Sequence, residues 1–276
     1  TLFETSCETS SAGTAGVPST HSREERVTLS VSVDDSIFFE KRTLTKRERR
    51  DLKRVESLRP PSLSHTSPKT VNQSRVFDAY AAGQNLILHG VAGTGKTFLS
   101  LYLALEAAIA GREPRPVVVI RSVVPTRDMG FLPGGVSEKS AVYEAPYVAI
   151  LKRLTGRTDA YDRLKSLGYL QFSTTSFVRG LTFRDNTVIV DECQNMTFHE
   201  LDSVITRMGD GCRVIFSGDF RQSDLWREDE RNGLQKFMRI CSRLKSFTRV
   251  EFTKDDIVRS DLVRDYIVAK LEEGVV

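Results

Sequence analysis

Eight consecutive residues constrain this chain more than any other feature. Gly90-Val91-Ala92-Gly93-Thr94-Gly95-Lys96-Thr97 follows the pattern G-x-x-x-x-G-K-[ST]. An apolar run, Asn85–His89, precedes it, and an apolar stretch free of proline and glycine, Thr97–Ala110, follows it. The local prediction is therefore strand, tight loop, helix. Glycines let the backbone curl until its N–H groups converge on one point. A helix that starts there adds the positive end of its dipole. Lys96 then supplies a charge for the β- and γ-phosphates of a nucleotide, and Thr97 a hydroxyl for Mg²⁺. A glycine-rich turn with a chance lysine would not need this strand–helix frame.

The surroundings repeat the same alternation. Short apolar runs rich in β-branched residues occur at Asn85–His89, Val117–Ile120, Tyr169–Phe172, Thr187–Val190, Arg213–Phe216 and Arg249–Phe252. Runs of this kind read as parallel strands buried on both faces. Helical stretches are expected at Thr97–Ala110, Ala141–Leu154, Ala160–Leu167, Phe198–Met208, Leu234–Leu244 and Asp256–Glu273. The expected fold class is α/β, a doubly wound, mainly parallel sheet sandwiched by helices.

Two further strand ends carry chemistry. Val188-Ile189-Val190 runs into Asp191-Glu192, at the edge where such sheets place ligands. Asp191 can hold Mg²⁺ and Glu192 can orient and polarise the water that attacks a γ-phosphate. Val214-Ile215-Phe216 runs into Ser217-Gly218-Asp219-Phe220-Arg221-Gln222, which resembles the γ-phosphate-sensing motif of superfamily 1 helicases. The amide of Gln222 would bond to the phosphate and release it on hydrolysis. Upstream, Gln73 resembles the adenine-reading glutamine of helicase-type ATPases. Cys193 stands beside the acids without a histidine partner, and His21, His65, His89 and His199 are scattered; none reads as a nucleophile or metal set.

Outside the core the pattern changes. Residues 1–20 hold nine Ser/Thr and are expected to be disordered. Alternation at Val27, Leu29, Val31 and Val33 suggests a strand, with Ile37–Phe39 as a partner. Between Lys41 and Pro60 nine Lys/Arg face three acids, on a stretch (41–57) expected to be helical. That density could release counterions from a nucleic-acid backbone. It reads equally as a solvated charged helix. Residues 57–68 read as a linker, so the chain divides into a polar, partly disordered extension (1–66) and a nucleotide-binding domain (67–276). The four cysteines have no CxxC spacing and read as the reduced thiols of a cytoplasmic protein. No run approaches the roughly 18 apolar residues that a membrane-spanning helix needs, so no membrane partner is expected.

Taken together the core resembles the PhoH-like family, in particular its short, phage-type members. Arg121–Gly134 (RSVVPTRDMGFLPG), Tyr143-Glu144-Ala145-Pro146-Tyr147, Arg179–Phe183, Asp191-Glu192-Cys193-Gln194-Asn195 and Asp256–Val263 (DIVRSDLV) carry the resemblance beyond the phosphate loop, over Lys69 to Leu271. It implies a RecA-like P-loop NTPase core that binds ATP with Mg²⁺, a proposed role in RNA metabolism, and assembly into homo-oligomeric rings. Phage origin would place it in the host cytoplasm. The length leaves room for one core, so a helicase with both cores in one chain is not expected. A single core leaves one side of the nucleotide open, and an arginine of a neighbouring subunit often closes it. Arg259 is the first candidate, by its match to the family segment, with Arg121 and Arg221 behind it. Two functions compete: an ATPase coupled to RNA or single-stranded DNA, and a nucleotide-gated oligomeric switch with no nucleic-acid partner. A small-molecule kinase fits the acid pair and the glutamine poorly.

Overall fold

The alternation of apolar runs and helical stretches becomes a three-layer domain in the computed structural model, which describes residues 59–111, 115–122, 136–178, 180–219 and 228–274. The strands expected at 27–33 and 37–39 and the basic helix at 41–57 lie outside the described residues. Six strands form one sheet: β1 (Asn85–Gly90), β2 (Val117–Arg121), β3 (Leu170–Thr174), β4 (Thr187–Asp191), β5 (Arg213–Gly218) and β6 (Phe247–Phe252). Their order is β3-β2-β4-β5-β1-β6, and every pairing is parallel. The helices are α1 (Val71–Ala81), α2 (Lys96–Ala110), α3 (Val136–Thr155), α4 (Ala160–Ser166), α5 (Phe198–Ile205), α6 (Glu228–Cys241) and α7 (Asp261–Glu272). This is a RecA-like P-loop NTPase core. Among the described residues no helix is long and apolar enough to cross a membrane.

Strand pleating sorts the four central runs, β1, β2, β4 and β5, between two cores. The edge strands β3 and β6, expected to be buried on both faces, instead expose Gln171 and Arg249 with Glu251, because an edge strand has a neighbour on one side only. Leu86, Leu88, Val117, Val119, Ile189 and Ile215 pack with α1, α2, α3 and α4 on one face. Ile87, Val118, Ile120, Val188, Val190, Val214 and Phe216 pack with α5 and α6 on the other. Fully burying a Leu, Ile or Val side chain is worth about 1.5–3 kcal/mol. A strand lined on both sides by such residues therefore has no solvent-tolerant face and must lie inside. The chain leaves β1 toward the β3 edge and later returns past β1 to β6. A constant right-handed crossover then forces the helices of the two directions onto opposite faces.

Helix α1 was not expected. Its N-cap is Thr70, whose hydroxyl accepts from the Gln73 backbone N–H, and it buries Gln73, Val76 and Tyr80. Its mean hydropathy is too low for an apolar stripe to stand out. Residues 59–66, expected as linker, are fastened to the domain. The Ser64 N–H donates to the Leu154 carbonyl (2.7 Å), Arg163 donates to the Arg59 carbonyl, and Leu63 packs on the core. The last helix starts later than expected. Thr253 and Asp256 form a reciprocal capping box around a short 3₁₀ turn, so Asp256 anchors a turn and α7 begins at Asp261.

Register sets the functional edge. Arg121 pairs with Asp191 across β2 and β4, His89 with Gly218 across β1 and β5, and Gly90 with Phe252 across β1 and β6. The loops after β1, β4 and β5 thus leave the sheet side by side.

Candidate active site

The phosphate loop is held by its neighbours from three sides. Gly90, Gly93 and Gly95 have φ of 117°, 78° and 88°, the left-handed region that side chains disfavour. Gly90 is further constrained by space: a Cβ there would lie 2.1 Å from the Phe252 carbonyl oxygen. That carbonyl accepts the Val91 N–H at 3.1 Å. Buried Thr94 donates its hydroxyl to the Val91 carbonyl (3.0 Å). Gln73 donates Nε2 to the Thr94 carbonyl (3.0 Å), while its Oε1 accepts the Lys69 N–H (2.8 Å). On the far side the Gly93 carbonyl accepts the Val258 N–H at 3.1 Å. Lys96 folds back onto the loop and donates to the carbonyls of Gly90 and Val91, both at 2.8 Å. Burial lowers its pKa, and the charges of Asp219, Glu192 and Asp191 oppose that shift.

Asp191 ends β4 at 3% exposure and has a partner on each oxygen. Thr97 Oγ1 donates to Oδ1 (2.9 Å) and the Tyr147 hydroxyl to Oδ2 (2.9 Å). Burial, and then the neighbouring Glu192, raise the Asp191 pKa, while Thr97, Tyr147 and Arg121 pull it back. Glu192 takes φ 51° and ψ 41°, a left-handed conformation rare for a side-chain-bearing residue. Its side chain lines the cleft together with Asp191. Gln194 donates Nε2 to Glu192 Oε2 (2.7 Å) and accepts the Asp219 N–H on Oε1 (3.1 Å). Arg121 approaches Glu192 Oε1 at 4.0 Å. Gly218 makes this junction possible, since a Cβ there would meet Gln194 Oε1 at 2.6 Å and Cys193 Sγ at 2.7 Å.

These groups border one cleft of about 500 Å³. Its floor is the phosphate loop with Asp191, Glu192, Gln194 and Asp219; its walls are Thr66, Ser67 and Lys69, then Phe98, Ile150 and Arg153, then Val258 and Arg259. Thr97 and Asp191 offer hard oxygen donors already in contact, which suits Mg²⁺ completed by phosphate and water. Among the described residues no three His, Cys, Asp or Glu side chains form a metal site of their own.

The structure therefore brings Gln73, Gly90 through Thr97, Asp191, Glu192 and Arg259 to one place. Gln222, Arg221, Phe220 and the 123–134 segment lie outside the described residues. Arg259 lines the cleft of its own chain, with Cγ 3.0 Å from where a Gly93 Cβ would stand, so no second copy is needed to bring it there. The amide of Gln73 is engaged with the main chain on both ends, which gives it a bracing role that the sequence reading did not include. That reading also missed Tyr147 and Gln194 as site residues. Gln194 was visible in the D-E-x-Q-N segment. Tyr147 stands 44 positions from its partner, and no local pattern announces the bond. Cys193 is buried, and burial together with Asp191 and Glu192 pushes its thiol far up, which makes it inert. His89 is a buried structural histidine that accepts from the Arg249 guanidinium.

The family model described as PhoH-like protein matches residues 65–270. A PhoH-like protein of Mycobacterium leprae is 32% identical over 205 residues, 74% of this chain and 58% of its own length. The Bacillus subtilis PhoH-like protein is 31% identical over 73% of this chain and 62% of its own. Protein PhoH of Escherichia coli is 34% identical over 69% and 54%. The chain spans a little over half the length of these relatives. Among solved structures, the large terminase of a thermophilic bacteriophage has a TM-score of 0.44 at 14% identity, covering 72% of this chain and 50% of that one. The Bacteroides Pif1 helicase in complex with ADP-AlF3 and ssDNA has 0.37 at 16%, covering 77% and 48%. With a family match that runs unbroken through the phosphate loop, the acid pair and the Val258–Arg259 segment that closes on Gly93, this chain belongs to the PhoH-like protein family.

Proposed function

We propose that the chain is a Mg²⁺-dependent ATPase that hydrolyses ATP to ADP and phosphate, works with RNA or single-stranded DNA, and assembles as a homo-oligomeric ring. One observation carries the catalytic part: Thr97 and Asp191 touch at 2.9 Å in a cleft that also holds Lys96, Glu192 and Arg259. Bound Mg²⁺ would draw charge from the β- and γ-phosphates and align them. Lys96 exchanges its two carbonyl partners for phosphate oxygens. Glu192 takes the proton of the attacking water, its carboxylate aimed by Gln194 and flanked by Arg121. Arg259 lies beside Gly93, where a guanidinium can meet the charge that develops on the transferred group. Gln222 is assigned to the γ-phosphate from its motif alone.

The nucleic-acid part is supported by the basic 41–59 stretch and by the arginines of the Arg121–Gly134 segment. The ring is supported by α7, which buries no residue and leaves Leu262 81% and Tyr266 68% exposed. Phosphate release by the full chain, with and without Mg²⁺ and with and without RNA, tests the reading. Glu192→Gln should keep ATP binding and lose about 10²–10⁴-fold in turnover, the usual share of a positioned general base. Lys96→Ala should lose both binding and turnover. Full hydrolysis by either variant refutes the site assignment. A rate that stays flat across added polynucleotide favours the nucleotide-gated switch.

A further inference from the structure

We propose that Tyr147 is a positioning residue for the cation-holding carboxylate: its hydroxyl fixes the plane of Asp191 so that Mg²⁺ meets a preset oxygen. The inference rests on the ATPase reading and deepens it. The carboxylate torsion of an aspartate is soft, so one anchor does not fix it. Asp191 has two anchors, one on each oxygen. They differ in kind. Thr97 is itself a proposed cation ligand, so its hydroxyl serves the cation through a lone pair as well as Oδ1 through its proton. Tyr147 ligates nothing, is 1% exposed, and has no access to water that could replace it. Its ring is seated against Phe172 at a centroid distance of 5.8 Å. The hydroxyl on Oδ2 is therefore the anchor that serves the carboxylate alone.

The placement also ties the metal site to α3. That helix meets the site at successive turns: Tyr143 under the Arg121 guanidinium, Tyr147 at Asp191, and Ile150 and Arg153 on the cleft wall. A shift of α3 would move the Tyr147 hydroxyl and with it the carboxylate.

The test is Mn²⁺ binding to the ADP-loaded full chain, read by electron paramagnetic resonance, beside ADP binding in EDTA. Tyr147→Phe should weaken Mn²⁺ by roughly 10-fold, as loss of an outer-shell partner of a metal ligand does, and leave ADP binding in EDTA within about two-fold. Tyr147→Met, which keeps the apolar volume, should do the same. In an Asp191→Asn background, Tyr147→Phe should cost no further Mn²⁺ affinity. Unchanged Mn²⁺ affinity in Tyr147→Phe overturns the proposal. So does a parallel loss of ADP binding in EDTA in both variants, because that is the mark of a merely structural residue. A wild-type chain that binds no ADP under either condition defeats the ATPase reading itself; wild-type binding with an unshifted variant defeats only this inference.

Discussion

Glu192 is a carboxylate in a backbone conformation that costs a side-chain-bearing residue roughly 1–2 kcal/mol. Gln194 is what holds it there usefully, since a single amide spans the Glu192 carboxylate and the Asp219 N–H. Gln194→Leu keeps the size and removes both bonds. We expect ATP binding to hold and turnover to fall by at least about 10-fold, because a base that is misaimed fails in the transition state and not in the ground state. Steady-state kinetics with separate kcat and KM checks it; a raised KM at unchanged kcat would deny Gln194 this role. His89 makes a different prediction at the same scale. Burial, and then the charges of Arg249 and Lys96, lower its pKa to about 4 from the usual 6.5. The folded chain therefore keeps His89 neutral while the unfolded chain protonates it. Between those values the unfolded state binds more protons, so stability falls as pH drops from about 6.5 toward about 4. Urea midpoints at pH 7 and pH 5 should differ more for the wild type than for His89→Gln.

At the scale of the element, the phosphate loop depends on β6 and on the turn before α7 as much as on its own glycines. Gly90 shows why. Its φ of 117° and the Phe252 carbonyl at 2.1 Å from a would-be Cβ demand glycine, although the motif reads as a phosphate requirement. Gly90→Ala should cost about 3 kcal/mol or more, from strain joined to a clash with rigid backbone. Gly83→Ala is the control. Gly83 has φ 82° and open space around it, so only the strain of roughly 1–2 kcal/mol applies. Urea denaturation of the two variants separates the terms, and equal losses would show that β6 yields. This dependence marks where legibility stopped. The loop, its strand and its helix were readable because their residue types are dictated locally. The bonds of Phe252 to Val91, Val258 to Gly93 and Gln73 to Thr94 join segments far apart in the chain, and only the fold makes them.

For the whole molecule, the four central strands were legible because runs buried on both faces have one solution, while β3 and β6 were legible as strands but not as the half-exposed edges they form. The strand order was not, because apolar runs such as Val117–Ile120 and Thr187–Val190 are interchangeable by composition. The order matters: with β5 between β1 and β4, Thr97 after β1 meets Asp191 over one intervening strand, and Gln194 after β4 meets Asp219 at the end of its neighbour β5. Which chain would supply the proposed closing arginine was likewise unreadable, and Arg259 lies against Gly93 of its own chain. This leads to a prediction for the assembly. Suppose each chain completes its own site, even within a ring. A mixture of Arg259→Ala and Lys96→Ala chains then contains no complete site, because every chain lacks one essential group. Suppose instead that Arg259 acted across a subunit boundary. Mixed neighbours would then pair an intact phosphate loop with an intact arginine, and up to about a quarter of sites would recover under random pairing in a heterologous ring. We expect no recovery. Phosphate release from the two variants, mixed under dissociating conditions and then reassembled, decides between the two arrangements, and activity near the quarter level would reassign Arg259 to the neighbouring copy.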